Sequence, residues 1–141
     1  MATYNKCNVA VGPMNKAMNV ATDQFAIALC ATTPIAATAF SAGTTDLATA
    51  GGYTAGGNNV VTTSTTVSGA VPGVLTVLLA SPAAWTASGV GFTFRYVLLY
   101  DVTTTDCIGF WDYGGNVVMN GTNGDTFTVT LDGANGVFKV T

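Results

Sequence analysis

Three aspartates are the residues of this chain whose types and spacing could do chemistry. Asp101, Asp106 and Asp112 lie close together in the sequence, and two carboxylates at such spacing could act as general acid and base or bind a hard cation. The chain has no His and no Glu, so it lacks the usual general base and any Ser/His/Asp or Cys/His arrangement. The alternative is that Asp101 and Asp106 cap the turn that they flank. We favour the turn, and the sequence predicts that the protein is not an enzyme.

Metal and cofactor sites are also not predicted. Cys7, Cys30 and Cys107 are odd in number and far apart in the sequence, which fits neither a disulfide framework nor paired zinc ligands. They are expected to be free thiols, buried or half-buried. The run NGTNGD at 120–125 lacks the Glu of a calcium loop, and AGGYTAGG at 50–57 lacks the Lys of a P-loop. Both runs are interpreted as Gly-rich turns.

β-branched residues alternate with small ones along most of the chain, which is typical of strands and not of helices. The sequence predicts strands over 24–30, 58–69, 74–81, 91–101, 107–114, 125–132 and 136–140, with a short edge segment at 83–88. It further predicts that 91–101 and 107–114 form a hairpin, and that 125–132 pairs with 136–140 through a turn.

These elements predict an all-β chain with a single β-sandwich or jelly-roll-like domain of about seven or eight antiparallel strands. The 141 residues are the size of one domain. Residues 1–23 are interpreted as an extended N-terminal arm, in which a short helix at 13–19 is possible, and 24–141 as the sandwich.

The most informative run is FRYVLLYDVTTTDCIGFWDYGG at 94–115. Strict alternation would place Phe92, Phe94, Tyr96, Leu98 and Tyr100 on one face of the strand, with Thr93, Arg95, Val97 and Leu99 on the other. Both faces are then largely apolar, so we expect a central strand that the sandwich covers on one side and a neighbouring subunit on the other.

Arg95 is the charged residue inside this apolar run. It either forms a bidentate ion pair with a carboxylate such as Asp112 or lies over the aromatic rings with its charge in solvent. In the next strand Trp111 and Tyr113 alternate with Asp112, so we expect an aromatic ridge that faces away from Asp112.

The chain carries few charges for its size. Only 8% of its residues are charged and 49% are hydrophobic, whereas designed soluble surfaces carry roughly a quarter to a third charged residues. We therefore expect partner proteins to cover much of the surface. The net charge of −3 argues against nucleic acid and anionic membrane as partners. The longest apolar runs are too short for a membrane-spanning helix, and the first residues do not resemble a secretory signal, so the protein is expected in the cytoplasm where it is made.

Five runs occur in order along the chain: GYTAGG at 52–57, WTASG at 85–89, FRYVLLYD at 94–101, IGFWDYG at 108–114 and DTFTV at 125–129. With these runs the chain resembles a group of small virion proteins encoded among the head and tail structural genes of tailed bacteriophages. The resemblance extends from about residue 24 to the C-terminus, and the FRYVLLYD and WDYG runs are its most specific part.

This resemblance implies a non-enzymatic capsid decoration or cement protein on the exterior of a virion made in the bacterial cytoplasm. Its expected partners are the major capsid protein and further copies of itself in a homotrimer. Six residues are predicted to anchor its core or interface: Tyr53, Trp85, Arg95, Tyr100, Trp111 and Tyr113. Two alternatives are a tail, baseplate or connector component, and a carbohydrate-binding or host-adhesion module in which Tyr53, Trp85, Trp111 and Tyr113 would stack on sugar rings.

Overall fold

A computed structural model describes residues 2–7, 18–37, 39–67 and 74–140 of the chain. All regular secondary structure within these ranges is β, which confirms the predicted all-β class. The ten strands found there are β1 (Thr3–Lys6), β2 (Phe25–Cys30), β3 (Asn58–Val60), β4 (Thr62–Val67), β5 (Leu75–Leu79), β6 (Trp85–Thr86), β7 (Phe92–Asp101), β8 (Cys107–Met119), β9 (Thr126–Phe127) and β10 (Phe138–Val140).

The largest sheet has five antiparallel strands in the order β1-β8-β7-β2-β3. Strands β7 and β8 form the hairpin that the sequence predicts. Strand β7 is flanked by β8 and β2, so the prediction that 91–101 is a central strand is also confirmed. Its position explains its composition, because a strand with two covered faces has no solvent-facing side to carry polar residues.

The region 58–69, predicted as one strand, is divided between two sheets. Strand β3 pairs with β2 in the five-stranded sheet, whereas β4 pairs with β5 in a three-stranded sheet of order β10-β5-β4. Val61 separates them, and its carbonyl accepts a hydrogen bond from the Ala80 amide at 2.8 Å. The chain therefore crosses from one sheet to the other at Val61.

The predicted pairing of 125–132 with 136–140 is wrong. The turn between them does form, because the Asp132 carboxylate accepts from the amides of Ala134 and Asn135, both at 2.8 Å. However, β9 pairs with β6 and β10 pairs with β5. The aromatic side chains explain the separation: Phe127 packs 4.6 Å from Phe94, whereas Phe138 packs 6.3 Å from Phe25, as measured between ring centroids.

The main core lies between the five-stranded sheet and the two smaller sheets. Residues that face it from the large sheet include Phe25, Ile27 and Phe94, and residues that face it from the opposite side include Val77 and Phe138. Opposed sheets whose inward side chains interdigitate are the arrangement of a β-sandwich, and the domain is sandwich-like as predicted.

The strict alternation predicted along β7 is wrong at Arg95. Phe94 lies opposite Val117, whereas Tyr96 lies opposite Asp112, so Arg95 alone opposes residues 113–116 of β8. A bulge of this kind shifts the register and exchanges the two faces of the strand. As a result Phe92, Phe94, Val97 and Leu99 face the main core, and Tyr96, Leu98 and Tyr100 face a second cluster.

This second cluster covers the other face of the large sheet and is buried within the chain itself. It contains Cys7, Ala26, Ala28, Cys30, Phe40, Tyr96, Leu98, Tyr100, Cys107 and Phe110. Phe40, from the segment after β2, stacks on Tyr100 with ring centroids 3.7 Å apart and planes at 14°. Its amide also donates to the Thr105 carbonyl at 2.7 Å. The sequence predicts that a neighbouring subunit covers this face. In the structure, residues of the same chain, such as Cys7 and Phe40, already cover it.

The segment predicted as an N-terminal arm joins the large sheet at its first residues. Strand β1 pairs with β8 from Thr3 opposite Asp112 to Lys6 opposite Gly109. The possible helix at 13–19 falls largely outside the described residues.

Candidate functional site

An open groove lies beside the edge strand β1. It encloses about 540 Å³, which is within the usual size of ligand pockets. Its walls come from the beginning of the chain, from β7 and β8, and from the segment that connects β9 to β10. The lining residues are Ala2, Tyr4, Val97, Trp111, Tyr113, Thr128, Val129, Thr130, Leu131, Asp132, Gly136 and Val137.

Three aromatic side chains form one wall of the groove, which we call the aromatic groove. Tyr4 lies opposite Trp111 in the β1–β8 ladder, and their ring centroids are 5.3 Å apart with planes at 58°. Tyr113 packs edge-on against Phe94 and Phe127, at 6.0 and 5.8 Å. Tyr4 and Tyr113 each remain 40% exposed. The predicted ridge of Trp111 and Tyr113 is present, and Tyr4 extends it.

Gly109 allows Tyr4 to take this position. A Cβ atom on Gly109 would lie 2.4 Å from the Tyr4 hydroxyl oxygen and 2.7 Å from ring carbons, so the phenol ring covers the bare backbone of β8. Close approach of this kind is a frequent use of glycine inside a strand. Any larger residue at 109 would displace Tyr4 from the wall of the groove.

The opposite wall is an extended segment that mixes apolar and polar groups. Val129 and Leu131 point into the main core, whereas Thr128 and Thr130 alternate with them and are exposed. The Leu131 amide donates to the Ser81 hydroxyl at 3.0 Å, which holds the segment in place although it is not part of a sheet. The groove is therefore lined by aromatic rings on one side and by a segment that carries threonines on the other.

The aromatic wall is electrically neutral. Burial raises the pKa of Tyr4 and of Tyr113 above the ordinary tyrosine value, so both phenols stay protonated at neutral pH. Asp132 is the one acidic side chain of the lining, and it also holds the turn before β10. A groove with this lining is suited to an uncharged, partly apolar ligand or protein surface.

Arg95 and Asp112 form a bidentate ion pair, the first of the two arrangements that the sequence leaves open for Arg95. The Arg95 Nε and Nη2 atoms donate to the two carboxylate oxygens of Asp112 at 2.9 and 3.0 Å, and the guanidinium lies 5.1 Å from the ring centre of Tyr96. The Gly114 amide donates to Asp112 at 2.7 Å, so the pair also stabilises the bulge. The hydrogen bond from Arg95 is the main cause that holds the pKa of Asp112 below its ordinary value.

The other predicted anchors lie in the interior. Tyr53 is 1% exposed and Trp85 is 3% exposed, so neither ring can stack on a sugar or contact a partner in this structure. Tyr100 is also buried, and its hydroxyl donates to the Gly56 carbonyl at 2.8 Å. These three residues are core anchors, and Trp111 and Tyr113 are the anchors that reach a surface.

Asp101 has the predicted turn-capping role. Its Oδ1 atom accepts from the amides of Thr103 and Thr104 at 2.7 and 3.2 Å. Asp106 contributes through its backbone carbonyl, which accepts from the Asp101 amide at 2.9 Å. The structure thus uses Asp101, Asp106 and Asp112 for a turn and for an ion pair. Within the described residues no three His, Cys, Asp or Glu side chains meet in a way that could hold a metal ion.

Asp101 and Asp112 should have opposite effects on stability as the pH changes. Asp101 is fully buried, and this burial raises its pKa above the ordinary 3.8. Its contribution to the free energy of unfolding is therefore complete below that value and is lost as the pH rises through the raised pKa. The pKa of Asp112 is lowered, so its contribution is present above 3.8 and is lost as the pH falls through the lowered pKa.

We expect Asp101→Asn to become more stable relative to the native protein as the pH rises from about 3 to 7, a range set by the ordinary aspartate pKa. Asn keeps the acceptor for Thr103 and Thr104 but carries no charge to desolvate. Asp112→Asn should show the reverse trend. Urea unfolding at several pH values measures both, and parallel curves for the two variants would contradict the assignment.

Comparison of the chain with protein-family models, with curated proteins and with solved structures gives no match. In the part of the chain that the structure describes, no helix has the length and apolar character that a membrane crossing requires.

Sequence reasoning did not identify Tyr4 or the wall at 128–132 as parts of one site. The available signals were weak: Tyr4 is a single aromatic in a short polar run, and Thr128 and Thr130 continue an ordinary strand-like alternation. Their convergence depends on β1 pairing with β8 across more than 100 residues of chain, which no local pattern encodes.

Proposed function

We propose that this protein is a non-enzymatic virion structural component, namely a decoration or cement protein that binds the major capsid protein of a tailed bacteriophage. The observation that carries the proposal is the aromatic groove, a concave surface with a neutral aromatic wall on a chain with very few charged residues. Aromatic side chains that are partly buried and partly exposed are common anchors of protein interfaces. The type of assembly, a tailed-phage particle, is proposed from the resemblance of five sequence runs to tailed-phage virion proteins.

The groove suits a segment of another protein. It lies beside β1, an edge strand of the large sheet, and edge strands present backbone groups that can pair with an added strand. A capsid-protein loop in extended conformation could pair with β1 and place an apolar side chain between Tyr4, Trp111 and Tyr113. A homotrimer would suit the three-fold positions of an icosahedral shell.

The copy number in purified particles of the encoding phage tests the proposal. A cement protein should be present at on the order of hundreds of copies, because it occupies repeated symmetric positions on the shell. Quantitative mass spectrometry of the particles measures this number. Tens of copies or fewer would instead indicate the tail, baseplate or connector role, and absence from particles would refute both.

Trp111→Ala tests the groove itself. Loss of a central aromatic anchor costs about 2 kcal/mol or more of binding free energy, so we expect incorporation into particles to fall by more than about tenfold. Val90→Ala is the matched control, since Val90 is 91% exposed and lies outside the groove lining. Thermal unfolding of both variants distinguishes lost binding from lost folding, and normal incorporation of a folded Trp111→Ala protein would refute the groove as the contact surface.

Carbohydrate binding is the second candidate, and the mixed lining of the groove favours it. Partly exposed rings of Tyr4, Trp111 and Tyr113 and the polar residues Thr128 and Thr130 line the same open cavity. Sugar rings present apolar faces and hydroxyl edges, which such a lining could satisfy. Calorimetric titration of the purified protein with neutral oligosaccharides tests this function, and binding that Trp111→Ala abolishes would favour it over a purely structural role.

A further inference from the structure

Two of the three cysteines meet where the N-terminal strand joins the large sheet. Cys7 directly follows β1, and its amide donates to the Ile108 carbonyl at 3.1 Å. Cys107 is the neighbour of Ile108 and the first residue of β8. Both side chains are buried in the second cluster, and each thiol is near enough to the other to shift its pKa. Residues that are about 100 positions apart in the sequence thus meet in one buried cluster.

The local backbone suits a covalent link between them. Cys7 continues the β1–β8 ladder opposite Ile108, one residue from Cys107. Neighbouring strands lie about 4.7–4.9 Å apart, and disulfides span Cα separations of about 4.4–6.8 Å. Strand β8 also has a bulge at this point, because Leu99 lies opposite Gly109 whereas Tyr100 lies opposite Cys107. Cys30 lies in the same cluster but on β2, which is separated from β8 by β7.

We propose that Cys7 and Cys107 are a disulfide-forming pair that fixes β1, and with it the Tyr4 wall of the aromatic groove, to β8. The oxidant is a low-molecular-weight disulfide such as oxidised glutathione. One protein thiolate attacks it, forms a mixed disulfide and releases one small thiol. The second protein thiolate then attacks the mixed disulfide, closes the Cys7–Cys107 bond and releases the second small thiol. Two protein thiols are oxidised and one small disulfide is reduced.

Because both sulfur atoms are buried, the first step requires β1 to detach. An edge strand that is mostly exposed and held by one neighbour is the kind of element that opens locally without global unfolding. In the closed structure Cys7 lowers the pKa of the Cys107 thiol, whereas Cys107 and burial raise the pKa of Cys7. Once β1 is open this mutual influence is lost, so either thiolate can make the first attack. Closure of the bond then returns β1 to its place.

The test uses the folded protein with excess oxidised glutathione, followed by alkylation of the remaining thiols and peptide mapping under non-reducing conditions. Incubation continues until hydrogen exchange shows that the β1 amides have opened. We expect one intramolecular Cys7–Cys107 cross-link, with Cys30 alkylated. We also expect the melting temperature to rise on the order of 10 °C, because a cross-link over about 100 residues strongly restricts the unfolded chain.

Cys30→Ala is the matched control and should form the same cross-link with the same rise in melting temperature. Cys7→Ala should form no intramolecular disulfide and show no rise. The proposal is overturned if all three thiols of the native protein remain free after β1 has opened, if the disulfide contains Cys30, or if the cross-link joins two chains. The mapping of the native protein decides between these outcomes even if a variant fails to fold.

Discussion

Gly57→Ala should destabilise the protein by about 3–5 kcal/mol, which is a large part of the stability of an ordinary domain. Gly57 has a φ of +68°, and a Cβ atom there would lie 2.0 Å from the Ile27 carbonyl oxygen and 2.7 Å from the Ala28 Cα atom. The left-handed conformation costs a non-glycine residue roughly 1–2 kcal/mol. The clash is with backbone in the middle of the large sheet, which cannot move aside, so overpacking adds a similar or larger cost.

Gly89→Ala separates these two causes. Gly89 also has a positive φ, +55°, but no atom lies within 4 Å of the Cβ position. It should therefore show the conformational cost alone, about 1–2 kcal/mol. Urea unfolding of the two variants measures the difference. Equal losses for Gly57→Ala and Gly89→Ala would mean that the loop at 50–57 does not pack against β2 as the structure has it.

The parts of the fold that local alternation encodes could be predicted from the sequence. Strand β2 and the β7–β8 hairpin are largely apolar runs between turns, and the sequence predicts both, although β8 extends to Met119 beyond its predicted end at 114. The glycine pairs at 51–52 and 56–57 have positive φ values, as expected for tight turns. These features depend on neighbours in the sequence, so the sequence displays them directly.

The parts that depend on distant pairing could not be predicted. Alternation along β7 fails at Arg95 because residues 113–116 of another strand bulge opposite it. The crossing at Val61 occurs because β3 pairs with β2 whereas β4 pairs with β5. The meeting of Cys7 with Cys107 likewise depends on the pairing of β1 with β8. Because the two cysteines are far apart in the sequence, the spacing predicts no pairing between them. They meet only because β1 lies next to β8 in the sheet.

Asp46 is the clearest example of a residue that no sequence pattern selects. It lies in an Ala-, Thr- and Gly-rich region, yet it is one of the few buried acidic residues. Its carboxylate accepts hydrogen bonds from the Gly43 amide at 2.6 Å, the Tyr53 hydroxyl at 2.5 Å and the Gly56 amide at 2.7 Å. One side chain thereby joins the turn at 43–46 to the loop at 53–56.

Tyr53 connects this carboxylate to the large sheet. Its hydroxyl donates to Asp46 and accepts from the Leu29 amide of β2 at 3.1 Å. Burial and the bond to Asp46 are the main causes that raise the pKa of Tyr53, so the phenol remains a donor throughout the neutral range. The predicted anchor Tyr53 therefore stabilises the fold through the hydrogen bonds of its hydroxyl as well as through the packing of its ring.

Asp46→Ala should accordingly cost about 3–5 kcal/mol, because it leaves the buried Tyr53 hydroxyl and two half-buried amides without their acceptor. Tyr53→Phe should cost less, about 1–3 kcal/mol, since it removes one hydroxyl and leaves the Leu29 amide unpaired. Asp125→Ala is the matched control: Asp125 accepts from the Asn120 amide at 2.8 Å in an exposed turn, where water can replace it, and its loss should cost at most about 1 kcal/mol. If Asp46→Ala proved no more destabilising than Asp125→Ala in urea unfolding, the buried carboxylate would not be what holds the loops against β2.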